Sequence, residues 1–214
     1  MKIISVNVGL PVKVNFGKEI VTTAIFKNPI KHRIKLYKLN LEGDKQADLT
    51  VHGGIDKAVY SYPSEHYRFW KKEIKDFEYS WGTFGENLTT EGLLEDLVNI
   101  GDQFQIGSAK VIATQPRMPC YKLAVRFGRM DIIRRFMASE RSGIYFKVEE
   151  EGEIGVEDKI ELIKSDENKV TIRDIVRLQT NGGRDTDMMN RAIKVKDLPD
   201  GWRNYFMEKL TKLK

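Results

Sequence analysis

Cys120 is the only cysteine in the chain, and it sits in the sequence Arg117-Met118-Pro119-Cys120. Pro119 fixes its own φ and carries no backbone N–H, so the bend that presents the thiol is stiff. A helical pattern opens at Cys120, and a thiol at a helix N-terminus is acidified by the N–H groups that lack partners there. Arg117 adds a fixed positive charge three residues earlier. Such a setting favours thiolate, the form that ligates a soft metal or attacks an electrophile. A buried thiol acting as a small hydrophobe fits the same letters about equally well.

Two further segments carry polar groups at useful spacing. In His52-Gly53-Gly54 the paired glycines permit positive φ and close approach of a ligand to the backbone. Successive N–H groups in such a turn form an anion nest, and His52 and Lys57 flank it with a proton carrier and a cation. An ordinary Gly-Gly turn with an incidental histidine is the commoner outcome of that pattern. In Phe84-Gly85-Glu86-Asn87-Leu88, Asn87 can both donate to and accept from a heterocycle, and Glu86 can act as base or ion-pair partner. A strand-edge loop without function accounts for these letters as well. Zinc is a poor fit, because His32, His52 and His66 show no short-range pairing and no second cysteine exists. No Walker A loop, dinucleotide fingerprint or Gly-x-Ser-x-Gly elbow occurs.

The elements that must position these groups are mainly strands. Lys2–Val8, Ile20–Phe26, Ile34–Leu41 and Val59–Tyr62 read as β, each closed by Gly, Pro or Asn. Ser64–Lys75 shifts to helical spacing after Pro63, with Ser64 as its cap. Val98–Gly107 and Ala109–Thr114 form a hairpin about Gly107-Ser108. From Cys120 to Ser139 the apolar residues repeat every three to four positions, and Gly128 divides this stretch into two helices. Ile144–Val148 and Lys159–Ile163 are strands joined by the acidic turn 149–158. Beyond Lys164 the chain turns polar, then gives three short helices, Thr171–Gln179, Asp185–Lys194 and Trp202–Leu210. The boundary is drawn at 165: residues 1–165 are a mainly β domain with α insertions, and residues 166–214 a small three-helix domain. Trp202, Tyr205 and Phe206 share one face of the last helix and dock it on the first domain or on a partner chain.

A chain of 214 residues, 41 % hydrophobic and 31 % charged, has the balance of an ordinary globular protein. One cysteine excludes an intrachain disulfide, no apolar run reaches about 18 residues, and the opening residues turn polar too soon for a signal peptide. A cytoplasmic protein with no membrane partner is the expectation. The net charge of +5 is spread out rather than gathered into a basic arm, which suits a small anionic ligand better than nucleic acid.

Taken in order, the segments from Asp44 through His52-Gly53-Gly54-Ile55-Asp56-Lys57, Tyr62-Pro63, Phe84-Gly85-Glu86-Asn87-Leu88 and Gly101-Asp102 to Gln115-Pro116-Arg117-Met118-Pro119-Cys120 resemble the MOSC family, named for the C-terminal domain of molybdenum cofactor sulfurases. The resemblance covers residues 1–165. The tail, with Asp187-Met188-Met189-Asn190 and Leu198-Pro199-Asp200-Gly201-Trp202, is similar to that of the stand-alone bacterial YiiM-like branch. It implies a β-barrel that binds the molybdenum cofactor (molybdopterin), with Cys120 as molybdenum ligand. Gly53, Gly54, Lys57, Glu86, Asn87 and Arg117 are the implied cofactor contacts, and His52 the proton carrier. One protein thiolate suffices when a pterin dithiolene brings the other sulfurs. The implied activity is reduction of N-hydroxylated compounds, N-hydroxylated purine bases among them. Electrons then come from a separate reductase, a flavoprotein, because the chain has no flavin or iron–sulfur motif. A carrier that hands on cofactor or sulfur without turnover, and a homodimer, are compatible with the same residues.

Overall fold

The computed structural model describes residues 1–47, 53–180 and 184–213. Its centre is an eight-stranded mixed sheet ordered β12-β8-β9-β10-β6-β7-β1-β4. The strands are β1 (Lys2–Val8), β4 (Asn28–Ile30), β6 (Val59–Pro63), β7 (Leu88–Glu91), β8 (Gln103–Ile106), β9 (Ala109–Pro116), β10 (Ile144–Glu150) and β12 (Ile160–Lys164). Two small antiparallel pairs flank it: β2 (Val12–Phe16) with β3 (Glu19–Thr23), and β5 (Ile34–Leu36) with β11 (Gly152–Ile154).

The expected barrel does not close. The order ends at β12 on one side and β4 on the other. A single bridge, Lys2 to Lys159, and bonds such as Ile160 N to Met1 O (2.9 Å) approach closure without building a strand ladder. Closure needs a continuous register between first and last strands, and here the chain turns at 155–158 against β1 instead.

The pairing within the sheet sets up one end of it. Tyr145 on β10 lies opposite Tyr60 on β6 and opposite Gln115 on β9. The β6–β7 pair is parallel, so a crossover is required, and helix α1 (Ser64–Glu73) provides it. Tyr67 and Trp70 on α1 are buried, as a helical stripe demands. The crossover returns through residues 80–87 beside β6, where Asn87 N donates to Tyr60 O (2.8 Å). After β9 the chain bends at Pro116–Pro119 and enters α2 (Tyr121–Phe127), which Gly128 ends in the left-handed conformation (φ 67°); α3 (Asp131–Ala138) follows.

Helices α4 (Ile172–Thr180), α5 (Thr186–Ala192) and α6 (Asp200–Lys212) form the tail. Ile172, Ile175, Met189 and Phe206 are completely buried in the same apolar cluster as Ile3, Val111 and Phe146 of the sheet. Trp202 and Tyr205 pack partly against it. Among the described residues, no helix is long and apolar enough to cross a membrane.

Candidate functional site

Cys120 lies at the N-cap of α2 with extended backbone (φ −124°, ψ 176°), and its carbonyl accepts from Leu123 N (2.9 Å). It is half-buried and lines a cleft with Arg117, Lys57, Tyr60, Asn87 and Tyr145. Lys27, Asp44, Lys45, Gly85 and Lys122 also line it. Among the described residues, the cleft therefore gathers Lys27, Lys45, Lys57, Arg117 and Lys122 with one carboxylate, Asp44.

Asp44 is already neutralised. Lys27 Nζ pairs with its Oδ1, and both side chains are under a tenth exposed. Asn87 Nδ2 donates to Oδ2 (2.9 Å) and Gly9 N to Oδ1 (2.8 Å). Burial pulls Lys27 below the ordinary lysine pKa, and Asp44 opposes that pull. Burial lowers Lys57 in the same way, with Asp56 opposing. Arg117 is buried, with its guanidinium 5.0 Å from the centre of the Tyr60 ring and 5.6 Å from that of Phe136, and its Nη1 donates to Phe84 O. Such stacking holds a cation whose charge cannot be lost by titration.

Two tight approaches shape the wall. Gly82 (φ 85°) and Gly85 (φ 77°) press residues 80–87 against Ile25–Lys27; a Cβ at Gly82 would stand 2.8 Å from Lys27 O, and one at Gly85 2.8 Å from Ile25 Cγ1. That contact carries Lys27 into the cleft.

Of the residues singled out from the sequence, Cys120, Lys57, Asn87 and Arg117 come together here. Glu86 does not. It is fully buried behind the wall and accepts from Gly82 N (2.9 Å), Phe84 N (3.0 Å), Thr89 Oγ1 (2.9 Å) and Tyr67 Oη, so its carboxylate holds the loop together. Gly53 and Gly54 do not line the Cys120 cleft either. They border a neighbouring groove, whose wall includes Lys57. Gly54 does use its freedom, at φ 98°, to start the 3-10 turn Ile55–Lys57. His52 lies outside the described residues. Sequence reasoning missed Lys27, Lys45, Tyr60, Lys122 and Tyr145 as cleft residues; the strand pairing across β9, β10 and β6 is what reveals the two tyrosines.

The arrangement suits an anionic group that takes one protein thiolate. Among the described residues, no three His, Cys, Asp or Glu side chains cluster closely enough to hold a metal ion by themselves. Cys120 is the one thiol in the described lining, and Lys45, Lys57, Arg117 and Lys122 give that lining its positive charge.

The chain is similar to several known proteins. The family model described as the MOSC domain matches residues 48–161, so Lys27, Asp44 and the tail helices lie outside the matched stretch. The Bacillus subtilis protein YflK is 38 % identical over 211 residues, 99 % of this chain and 95 % of its own. Escherichia coli YiiM is 35 % identical over 199 residues, 90 % of this chain and 88 % of its own. A Gibberella moniliformis protein named "Reductase" is 30 % identical over 82 % of this chain, a match spanning 32 % of that longer protein. The crystal structure of YiiM from Geobacillus stearothermophilus superposes with a TM-score of 0.82 at 31 % identity, covering 98 % of both chains.

Proposed function

Because this chain belongs to the MOSC domain family, we propose that it is an oxidoreductase that binds the molybdenum cofactor in the Cys120 cleft and reduces N-hydroxylated compounds, N-hydroxylated purine bases among them. The observation that carries the reading is one half-buried thiol in the wall of a cleft whose described lining holds five cations and a single, already paired carboxylate. The reductase name of the Gibberella relative supports the redox assignment.

In this reading Cys120 Sγ is the protein ligand to molybdenum. Lys45 and Lys122 meet acidic groups of the cofactor as point charges, and Arg117 does so with the donors left after its bond to Phe84 O. Asn87 keeps the wall in register through Asp44 and Tyr60 rather than gripping a ring alone. When bound, the cofactor supplies the two-electron step R–NH–OH + 2 e⁻ + 2 H⁺ → R–NH₂ + H₂O, with electrons from a separate flavoprotein reductase. His52 is the proton carrier in this reading, because an imidazole ordinarily titrates near neutrality. Lys57 Nζ, whose proton burial loosens, is a second proton-bearing atom on the cleft wall.

The test is expression in cells that make the cofactor, followed by molybdenum analysis and a reduction assay with a flavoprotein donor and an N-hydroxylated purine. Wild type should carry near-stoichiometric metal, and Cys120→Ser should lose both metal and turnover at least tenfold. Metal content untouched by the substitution would defeat the ligand assignment. Full loading without turnover would leave a carrier.

A further inference from the structure

Lys57 borders two depressions. One is the Cys120 cleft; the other is a groove walled by Gly53, Gly54, Asp56, Gln115, Pro199 and Trp202. The second groove is therefore built jointly by the double-glycine bend and the start of α6.

Trp202 is held from two directions. Its Nε1 donates to Gln115 Oε1 (3.1 Å), and its ring stacks on Phe206 with centroids 5.7 Å apart and planes 28° apart. The ring is half-buried and forms part of the groove wall. Asp56 bonds to its described neighbours through its backbone carbonyl, which accepts from Thr114 Oγ1 (2.7 Å) and Gln115 Nε2 (3.4 Å). Among the described residues, none bonds to its carboxylate, and Asp56 lines the groove. Burial raises the Asp56 pKa; Lys147 on β10 and Lys57 oppose this, and Asp197 before α6 and Asp200 at its start reinforce it.

A fixed indole face offers stacking to any flat π-system. A carboxylate only accepts, so it selects a ring edge that carries N–H donors and is left unpaired by one that does not. Taking Cys120 as the reaction centre, and so resting on the function proposed above, we propose that this groove is the subsite for the body of the substrate: a planar heterocycle with N–H donors lies against Trp202 and donates to Asp56, its N-hydroxyl end directed past Lys57 toward Cys120. The C-terminal helices then contribute substrate selection.

Calorimetric titration of the full chain with adenine and with 9-methyladenine, which lacks the ring N9–H donor, tests this directly. Wild type should bind adenine and prefer it to the methylated base. Trp202→Ala should weaken adenine binding roughly tenfold, and Trp202→Phe should retain most of it. Asp56→Asn should remove the preference between the two bases. In the cofactor-loaded protein, the ratio of kcat/KM for an N-hydroxylated purine to that for hydroxylamine should fall in Trp202→Ala and Asp56→Asn. Wild type that binds neither base, or variants that titrate as wild type does, would overturn the subsite, even where reduction itself proceeds. Adenine binding as described with no reduction by any chain would uphold the subsite and defeat the reductase reading.

Discussion

Lys27 and Asp44 form a buried ion pair in the wall of the Cys120 cleft, with side chains 8 % and 3 % exposed. Residues 17 positions apart meet there because the loop ending at Asn87 reaches both: Gly82 packs on Lys27 O, and Asn87 Nδ2 donates to Asp44. The pair cancels its own charge, so the positive character of the cleft comes from Lys45, Lys57, Arg117 and Lys122.

Breaking that pair from one side should be costly. Asp44→Asn leaves the Lys27 ammonium buried without its counter-charge and weakens the acceptors of Gly9 N and Asn87 Nδ2. The expected loss of unfolding free energy is about 3–5 kcal/mol. The double variant Lys27→Met/Asp44→Asn should lose less than Asp44→Asn alone, because the uncompensated ammonium is gone. Urea denaturation of wild type, Lys27→Met, Asp44→Asn and the double variant measures the coupling. An Asp44→Asn chain within about 0.5 kcal/mol of wild type would mean that the pair is not formed in solution.

Binding of an anion in the cleft should be accompanied by proton uptake at alkaline pH. Burial holds Lys27 and Lys57 below 10.5. Between their lowered values and 10.5 the unfolded chain binds more protons than the native one, so these two groups make stability rise with pH across that window. An anion beside Lys57 favours its charged form, drawing a proton from solvent and weakening in affinity as pH rises. Titration with sulfate, which does not itself titrate at alkaline pH, in two buffers of different ionisation enthalpy at pH 9 should give heats that differ, and Lys57→Met should shrink the difference. Identical heats from wild type in both buffers would count against this linkage.

Much of the scaffold is legible where local patterning and local structure coincide. β1 spans Lys2–Val8 as its apolar run requires, the hairpin turns at Gly107-Ser108, and Gly128 ends α2 in the conformation that glycine permits best. Cys120 and Arg117 are legible too, because Pro119 fixes the bend between them. β2 escapes notice because Val12–Phe16 has no buried face, and β11 because three residues in an acidic turn become a strand only by pairing with β5. Lys27 reads as a surface lysine before Asn28-Pro29; its burial depends on a loop some 55 positions later, through Gly82. Whether Glu86 or Asn87 faces the cleft cannot be read from Phe84–Leu88 alone. The crossover through α1 decides it, by setting which side of the loop meets β6.

Glu86 gives the sharpest separation between holding the wall and contacting a ligand. Its carboxylate is completely buried and receives two backbone N–H groups and two hydroxyls, from Gly82, Phe84, Thr89 and Tyr67. Burial raises its pKa above 4.5, against the pull of those donors. The native state therefore binds the Glu86 proton more tightly than the unfolded chain in the window above 4.5, and this group's contribution to stability falls as pH rises through that window. Glu86→Gln replaces one acceptor oxygen with an NH₂ that points at donors. The expected cost at neutral pH is about 2–3 kcal/mol, and the variant should lack the pH slope that Glu86 contributes. Because the same loop supplies Phe84 O to Arg117 and Asn87 Nδ2 to Asp44, anion affinity should fall in step with stability, not independently of it. Urea midpoints between pH 5 and 8, measured beside pyrophosphate titrations, check both. A variant that keeps its midpoint while losing the anion would return Glu86 to the cleft as a direct contact.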